Sequence, residues 1–186
     1  RTVTGVQTCA LPISKDLTGW ESEPGWKVED GAITCDRNGA YLHTTRGDFG
    51  DFHLRAEAKF SNAANGGIYF RAASPVPSGN HYEAQIAGPV NGDRQKTGTL
   101  YNFVSVTENL VPPDTWFRYE IVARGNHIEL WVNDKKTADY TDTRPGRPEK
   151  GFIALQSHTT PVAYRNIQIQ EGAAAAPPAE IGRAHV

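Results

Sequence analysis

The amino-acid sequence predicts an all-β protein in which two antiparallel sheets pack face to face. Three observations support this prediction: strict apolar–polar alternation in many short segments, turn-forming residues between those segments, and few stretches of helical pattern. The 186 residues include Gly 18 and Pro 12, which are turn-rich values, and Met 0. About ten short strands at this spacing are typical of two sheets that share one core.

The strands follow from the alternation, in chain order. We expect three early strands at Trp26–Val28, Ala32–Cys35 and Tyr41–Thr44. Later strands carry longer alternating patterns, and turns such as SNAANG, SPVPSGN and RGN separate several of them. These later segments read FHLRAEAKF (52–60), GIYFRAA (67–73), HYEAQIA (81–87), RYEIVA (118–123), HIELWVN (127–133), FIALQSH (152–158) and AYRNIQIQ (163–170).

The alternation also assigns a core face to each strand. In FHLRAEAKF, the apolar residues from Phe52 to Phe60 fall on one face, and Glu57 lies on the other. The same argument points Ile68, Phe70 and Ala72 inward, followed by Tyr82, Ala84 and Ile86. The later inward set is Tyr119, Ile121, Ala123, Ile128, Leu130, Val132, Ile153 and Leu155.

Polar residues on the outward faces are the candidates for chemistry. If three consecutive strands pair as a meander, the carboxylates of Glu57 and Glu83 flank the guanidinium of Arg71. Such a mixed polar face suits a sugar-binding cleft, and aromatic planes pack well against sugar rings. The alternative is a solvated strand face whose cross-strand pairs contribute only about 0.2–1 kcal/mol each. The neighbouring outward residues are Tyr69, His81 and Gln85, with Gln156 and His158 on a later strand.

Composition excludes several other classes of function. The formal net charge is −2 and the pI is near 6.3, so no nucleic-acid or anionic-membrane partner is indicated. No apolar stretch approaches the roughly 20 residues of a membrane-spanning helix.

His127 and Glu129 share one strand face, but this pair is more typical of solvated surface than of a metal site. Asp48 and Asp51 bracket a turn and are weak candidates for a hard cation, so a divalent metal remains an open alternative.

The two ends of the chain do not fit the rest of the sequence. IGRAHV (181–186) can be encoded by the DNA sequence ATCGGAAGAGCACACGTC. The reverse complement of this DNA, read one base out of phase, encodes TCALP, which is the sequence of residues 8–12. The DNA resembles a sequencing adapter, so we interpret residues 1–13 and 181–186 as translated adapter. The β-sandwich domain would then occupy residues 14–171, with an Ala/Pro linker at 172–180 that could lead to a further domain. On this interpretation Cys9 is not native, and Cys35 is a small buried hydrophobe.

A series of motifs in the middle of the chain resembles the 3-keto-disaccharide hydrolase domain family. The motifs follow one another in the family's order and cover about Lys15 to Gln170. The resemblance implies a concanavalin-like jelly-roll sandwich, a bacterial origin and export to the periplasm or the extracellular space. The motifs read KDLTGW, GWKVEDGAI, GDFHLRAEAKF, NGGIYFR, YEAQI, TGTLYN, WFRYEI and GFIALQSH with VAYRNI.

The resemblance also implies a small-molecule substrate, a glycoside oxidised at the 3-position of its sugar. A keto group at C3 acidifies the C2 proton, so a base and an acid can eliminate the group at C1, and water can add afterwards. Direct hydrolysis by two carboxylates is the alternative. Glu83 or Glu57 is the candidate base, His158 the candidate acid, and Arg71 the group that polarises the keto oxygen or clamps the sugar. Gln85, Tyr101 and Gln156 are expected to position hydroxyl groups, with Tyr69 and His81 beside them.

Two departures from the family pattern qualify this interpretation. Pro12, Ile13 and Ser14 stand where the family has Phe-(Asn/Asp)-Gly, and AGPVNGDRQ follows YEAQI where many members have an acidic residue. Asp93 is the candidate replacement for that acid. Two other functions stay open: a non-catalytic carbohydrate-binding module and a structural domain of a larger surface protein, because one fold hosts many functions.

Overall fold

The alternating segments pair into two antiparallel sheets, as predicted. The computed structural model describes residues 16–159 and 161–172, together with the backbone of residues 8 and 9. The strands are, in order, β1 Thr8–Cys9, β2 Trp20–Ser22, β3 Trp26–Glu29, β4 Ala32–Cys35, β5 Ala40–Thr44, β6 Phe52–Phe60, β7 Asn65–Ala72, β8 Tyr82–Ala87, β9 Phe117–Arg124, β10 His127–Val132, β11 Lys135–Thr141, β12 Phe152–Thr159 and β13 Val162–Glu171.

The larger sheet has the strand order β11-β10-β9-β6-β13-β4-β3, and β1 pairs with the end of β13. The smaller sheet has the order β2-β5-β12-β7-β8. Neighbours within each sheet are often distant in sequence, as in a jelly roll, because the chain crosses repeatedly from one sheet to the other. The sandwich therefore has two outer faces, one on each sheet.

The core lies between the sheets and contains the residues that the alternation pointed inward. Phe52, Leu54 and Phe60 of β6 are buried, as are Ile68 and Phe70 of β7. They belong to one hydrophobic cluster that also holds inward residues of β8, β9, β10, β12 and β13. The predicted inward faces are confirmed except at Ala72, which is buried but lies outside this cluster and pairs with Phe152 of β12. Cys35 is buried as expected.

Besides β1, two of the described strands were not expected from the sequence. β2 has only three residues, and β11 reads KKTADYT, whose charged residues obscure the alternation. Both lie at sheet edges, where short strands and lysine side chains protect the unpaired backbone. No helix in the described residues is long and apolar enough to cross a bilayer.

The interpretations of the chain ends fall largely outside the described residues. Within the interpreted adapter stretch, the structure describes only the backbone of Thr8 and Cys9, which pairs with Gln170 and Ile169 of β13. Of the interpreted linker, residues 172–180, only Gly172 lies within the described part.

Candidate functional site

A polar cavity opens on the outer face of the smaller sheet, on the side of β7 and β8. Its volume is about 200 Å³. Register places Tyr69 of β7 directly opposite Glu83 of β8, and both side chains point away from the core, since their sequence neighbours Phe70 and Tyr82 belong to the hydrophobic cluster. The lining residues are Asn65, Tyr69, Glu83, Gln85, Tyr101, Gln156 and His158.

Glu83 is the distinctive group of this cavity. The residue is only 7% exposed, and its carboxyl group forms part of the cavity wall. Burial raises the pKa of Glu83 to about 7, a hydrogen bond from Tyr69 opposes the rise, and the charge of Asp93 adds to it. A carboxyl group with a pKa near neutrality is suited to exchange protons with a ligand.

The segment after β8 forms the wall on the side of Glu83. The Gln85 N–H donates to the Thr99 carbonyl at 3.0 Å, and the Tyr101 N–H donates to the Glu83 carbonyl at 2.9 Å, so this segment extends the sheet beyond β8. The Tyr101 hydroxyl donates to Asp93 Oδ2 at 3.1 Å. Burial, followed by the charge of Asp93, raises the pKa of Tyr101.

A buried lysine holds the loop that carries Asp93. Lys96 Nζ donates to the carbonyls of Gly88 and Pro89, each at 3.3 Å, and to Asn91 Oδ1 at 3.2 Å. Because the charged end of Lys96 has three acceptors, the loop is fixed in one arrangement. Asp93, expected only as a replacement acid, lies within hydrogen-bond distance of two cavity residues, Gln85 and Tyr101.

Two glutamine side chains orient the remaining polar groups. Gln156 Nε2 donates to the hydroxyl oxygens of Tyr41 at 2.9 Å and Tyr69 at 3.1 Å. Gln85 Nε2 donates to Asp93 Oδ2 at 3.3 Å, while Gln85 Oε1 is buried and accepts no hydrogen bond from any described residue. Gln85 Oε1 is therefore an acceptor that a ligand hydroxyl group can satisfy.

The other predicted residues of this face lie at the cavity or beside it. His158 is exposed and lines the cavity from β12. His81 lies next to the cavity, with its ring centroid 4.9 Å from that of Tyr69, and burial lowers the pKa of His81. Burial, followed by the charge of Glu83, raises the pKa of the Tyr69 hydroxyl, which therefore stays protonated.

Arg71 does not join this cavity, which corrects the expectation of a guanidinium beside Glu83. Two residues of β7, Phe70 and Arg71, stand opposite the single residue Ile153 of β12, and Arg71 has a φ of 50°. This bulge interrupts the alternation and turns the Arg71 side chain towards the end of the sandwich. There Arg71 is 1% exposed and donates to the carbonyls of Gly50 and Gly125 at 3.0 Å and 2.6 Å.

Glu57 also lies away from the cavity, so the meander expectation is wrong. After β6 the chain crosses to the other sheet, and β6 pairs with β9 and β13 instead of β7. Glu57 therefore faces outward on the larger sheet, where Arg165 Nε donates to it at 2.6 Å and Asn166 Nδ2 at 3.1 Å. Partial burial raises the pKa of Glu57, but these two hydrogen bonds outweigh it and the pKa is lowered.

A wider cleft of about 820 Å³ opens at the end of the sandwich, with Arg71 and Asp51 in its wall. We do not assign the site to it, because the Arg71 guanidinium is engaged by the carbonyls of Gly50 and Gly125 and by Asp51 at 3.3 Å. The oxygen of Asp51 that binds Arg71 also accepts from the Gly125 N–H. These contacts hold loops together, and none of the carboxyl groups among the described residues that line the cleft is buried.

One group of three potential metal ligands occurs among the described residues, His127, Glu129 and Asp139 on the larger sheet. Lys136 Nζ already donates to Glu129 at 2.6 Å and to Asp139 at 2.9 Å. The Lys136 ammonium group thus supplies the positive charge between these two carboxylates. Asp48, the other candidate cation ligand, is paired with Arg46. Neither set of residues lies at the Glu83 cavity.

Gly67→Ala is expected to displace the Glu83 carboxylate while leaving the sandwich folded. A Cβ atom at position 67 would lie 2.6 Å from Glu83 Oε1, closer than van der Waals contact allows. A misplacement of about 1 Å can reduce an enzymatic rate roughly 100-fold. Far-ultraviolet circular dichroism would check the fold, and turnover of a 3-keto-glucoside, the substrate class that the motif resemblance implies, would check the displacement. Gly50→Ala is the matched control, because its Cβ would meet no atom closer than 3.6 Å, and equal activity of the two variants would contradict the expectation.

The two sheets form a concanavalin-like sandwich that carries a polar cavity on one outer face. A family model for the 3-keto-alpha-glucoside-1,2-lyase-like domain matches residues 14–170. The chain belongs to this family, which confirms the resemblance seen in the motifs. No curated protein sequence matches the chain.

Comparison with solved structures supports the fold. A candidate glycosyl hydrolase from Parabacteroides distasonis superposes with a TM-score of 0.77 at 21% identity, covering 89% of this chain and 94% of that one. The carbohydrate binding module CBM66 from Bacillus subtilis gives 0.59 at 13% identity, with coverages of 83% and 96%. A β-glucanase from Bacillus licheniformis gives 0.58 at 12% identity, with coverages of 87% and 96%. The TM-scores show a shared sandwich fold, and at such low sequence identities they show the fold alone.

Proposed function

We propose that this protein cleaves glycosides whose glucose ring carries a keto group at C3, with Glu83 as the general base. The observation that carries the proposal is a buried carboxyl group with a pKa of about 7 in the wall of a polar cavity. Family membership supplies the substrate class, since the family is named for a lyase that acts on 3-keto-α-glucosides. At neutral pH a large fraction of Glu83 is ionised and can accept a proton.

The reaction begins at the carbon next to the ketone. The Glu83 carboxylate takes the proton from C2, and the electron pair of the C–H bond moves into the enolate of the C3 ketone. The enolate then forms the C1–C2 double bond, the bond from C1 to the glycosidic oxygen breaks, and an acid protonates that oxygen. Addition of water across the double bond, with hydroxyl at C1 and a proton at C2, gives the free 3-keto sugar.

The cavity offers a base and an acid on different strands. In an α-glucoside the C2 proton and the C1 oxygen lie on opposite faces of the ring, so the base and the acid have to flank the sugar. Glu83 lies on β8 and His158 on β12, with β7 between them. We assign the acid role to His158, which is exposed at the cavity mouth where the leaving group departs.

The size and lining of the cavity suit one sugar ring. Pockets for drug-sized ligands occupy about 300–1,000 Å³, whereas this cavity has about 200 Å³. The unsatisfied Gln85 Oε1 provides an acceptor for a sugar hydroxyl, and the Tyr69 ring provides a partly apolar wall. A buried polar group without a partner favours a ligand that supplies the missing hydrogen bond.

The direct test is incubation with 3-keto-trehalose and, in parallel, with unoxidised trehalose. We expect release of glucose from the 3-keto sugar alone, because only the ketone acidifies the C2 proton. Saturable binding of 3-keto-trehalose without turnover would contradict the proposed cleavage activity and favour a non-catalytic carbohydrate-binding module. Cleavage of both sugars would instead favour direct hydrolysis by two carboxylates.

Asp93→Asn is expected to move the pH profile of the reaction to lower pH. Glu83 acts as a base only when ionised, so wild-type kcat/KM should fall as the pH drops through about 7. The negative charge of Asp93 helps to raise the pKa of Glu83, and its removal lowers that pKa. When kcat/KM is measured between pH 5 and 9, its acid limb should therefore lie at lower pH in the variant than in the wild type.

Asp134→Asn is the control for this measurement, because Asp134 pairs with Arg118 on the larger sheet. Its acid limb should coincide with that of the wild type. The other titratable groups around Glu83, namely Tyr69, Tyr101 and His158, are unchanged in both variants. An acid limb of Asp93→Asn that stays in place or moves to higher pH would refute the assignment of the limb to Glu83.

A further inference from the structure

A second polar groove lies on the outer face of the larger sheet, across the sandwich from the Glu83 cavity. Its volume is about 260 Å³. We call it the arginine groove, because two arginine side chains from neighbouring strands dominate its wall. The lining residues are Arg55, Ala56 and Glu57 of β6, Arg118 of β9, and Asn166 and Gln168 of β13.

One buried carboxylate fixes the two guanidinium groups of this groove. The Glu120 side chain is only 2% exposed, and its two oxygens accept from Arg55 Nε at 2.9 Å and from Arg118 Nε at 2.8 Å. Burial raises the pKa of Glu120, but hydrogen bonds from His53 and Arg55 outweigh it and the pKa is lowered. Glu120 therefore stays ionised and holds the two guanidinium groups side by side.

The outer ends of these guanidinium groups are available to a ligand. About half of the Arg55 side chain is exposed, and neither of its terminal nitrogens has a hydrogen-bond partner among the described residues. Arg118 donates from Nη2 to the Asn133 carbonyl at 3.2 Å and to Asp134, while its Nη1 has no partner in that part of the chain. Since guanidinium forks match the geometry of a carboxylate, the groove offers donors for one such group.

The carboxylates around the groove already have counter-charges. Arg165 Nε donates to Glu57 Oε2 at 2.6 Å, and Asp134 is bound by Arg118. Glu120 lies beneath the surface and is shared with His53, whose Nε2 is 2.7 Å from Glu120 Oε2. Arg55 is therefore left without an exposed anionic partner among the described residues, which favours an anionic ligand.

A bulge in β13 adds amide groups to the same groove. Two residues of β13, Asn166 and Ile167, stand opposite the single residue Ala56 of β6, and Asn166 has a φ of 51°. Asn166 Nδ2 donates to the ionised Glu57 at 3.1 Å, so the Asn166 Oδ1 atom is left as an acceptor. Gln168 is exposed in the groove. Neutral amides of this kind suit the hydroxyl groups of a ligand.

We propose that the arginine groove binds a uronic acid unit of an anionic polysaccharide. The carboxylate lies on the terminal nitrogens of Arg55 and Arg118, and the ring hydroxyl groups lie against Asn166 and Gln168. The groove volume of about 260 Å³ is close to the 200 Å³ of the Glu83 cavity and suits one sugar ring. This function does not depend on the proposed cleavage, because the groove and the cavity lie on different sheets.

The test measures binding of the full chain to three immobilised polymers by biolayer interferometry. Polygalacturonate carries carboxylates and hydroxyl groups, polyglutamate carries carboxylates without sugar hydroxyls, and dextran carries hydroxyl groups without carboxylates. We expect saturable binding to polygalacturonate and at least about tenfold weaker binding to the other two. Equal binding to polyglutamate would overturn the assignment to a sugar, and absence of binding to polygalacturonate would overturn the site.

Two variants locate the binding in the arginine groove. Arg55→Gln should weaken the affinity for polygalacturonate about tenfold, the size of one lost charge-assisted hydrogen bond. Gln168→Glu should weaken it similarly, because residue 168 stands opposite Arg55 in the sheet and the new carboxylate competes for the same donors. Far-ultraviolet circular dichroism checks that each variant is folded, and the two substitutions are independent, so one that misfolds leaves the other as a test.

Arg94→Gln is the matched control, because it removes the same charge from an exposed side chain on the loop that carries Asp93. Its affinity for polygalacturonate should stay within about twofold of the wild type. A loss equal to that of Arg55→Gln would show attraction by overall charge and would overturn the arginine groove. Unchanged binding by folded Arg55→Gln and Gln168→Glu would overturn it as well.

Discussion

Glu83→Gln is expected to reduce kcat/KM for a 3-keto-glucoside by about 10³-fold, because a positioned general base typically contributes about 10²–10⁴-fold. The amide has nearly the shape of the carboxyl group but cannot take the C2 proton. Steady-state release of the leaving group at pH 8 measures the loss. Wild-type turnover by Glu83→Gln would remove Glu83 from the mechanism.

The same variant should be more stable than the wild type at alkaline pH. The folded-state pKa of Glu83 is about 7, above its ordinary value of 4.5, so folding favours the protonated carboxyl group. Its stabilising contribution is present below pH 4.5 and is lost as the pH rises through 7. The thermal midpoint of Glu83→Gln should therefore exceed that of the wild type at pH 8, and this advantage should shrink towards pH 4.

Glu57→Gln is the matched control for the loss of activity. Glu57 is also a strand glutamate, but it faces outward on the larger sheet and binds Arg165. Its replacement should leave turnover within about twofold of the wild type. A loss comparable with that of Glu83→Gln would contradict the placement of the reaction on the smaller sheet.

Arg71→Ala is expected to lower the free energy of unfolding by about 3 kcal/mol, because buried acceptors left without donors cost about 1–3 kcal/mol each. The Arg71 guanidinium joins the segments that contain Gly50, Gly125 and Asp51. Without it these groups lose their shared donor. Urea unfolding monitored by tryptophan fluorescence measures the change.

Two further variants make the Arg71 result specific. Lys27→Ala removes an exposed ion pair with Glu29 and should change stability by less than about 1 kcal/mol. Arg71→Lys keeps the charge but loses the planar fork, so its stability should be intermediate, while its kcat should stay close to that of the wild type. A fully folded Arg71→Lys without turnover would restore Arg71 as a sugar clamp, and an unchanged stability of Arg71→Ala would contradict its role between the loops.

Alternation was sufficient to predict the sandwich and most of its core. Phe52, Leu54, Ile68 and Phe70 are buried as their positions indicated, because a half-buried strand presents every second residue to the core. The outward direction of Glu83, Gln85 and Gln156 also follows from the alternation, and all three line one cavity, but the pattern left open whether the strand of Gln156 joins the same sheet. The burial of alternate residues depends on local pattern, which the sequence expresses directly.

The relation between distant strands could not be read from the pattern. A four-residue connection, 61–64, suits a hairpin, yet β6 and β7 belong to different sheets, and this removes Glu57 from the site. Arg71 fits the alternation, but the bulge places it elsewhere, and a positive φ at a residue other than glycine leaves no sequence signal. Asp93 reaches the cavity from a loop, where periodicity gives no information about contacts.

The most direct measurement of the central claim uses a 3-keto-glucoside deuterated at C2. If Glu83 removes the C2 proton in a rate-limiting step, kcat/KM should fall severalfold relative to the protiated substrate. Solvent deuterium should also appear at C2 of the product made from protiated substrate, beyond that of a sample without enzyme. Turnover with no isotope effect and no such exchange would contradict proton removal at C2.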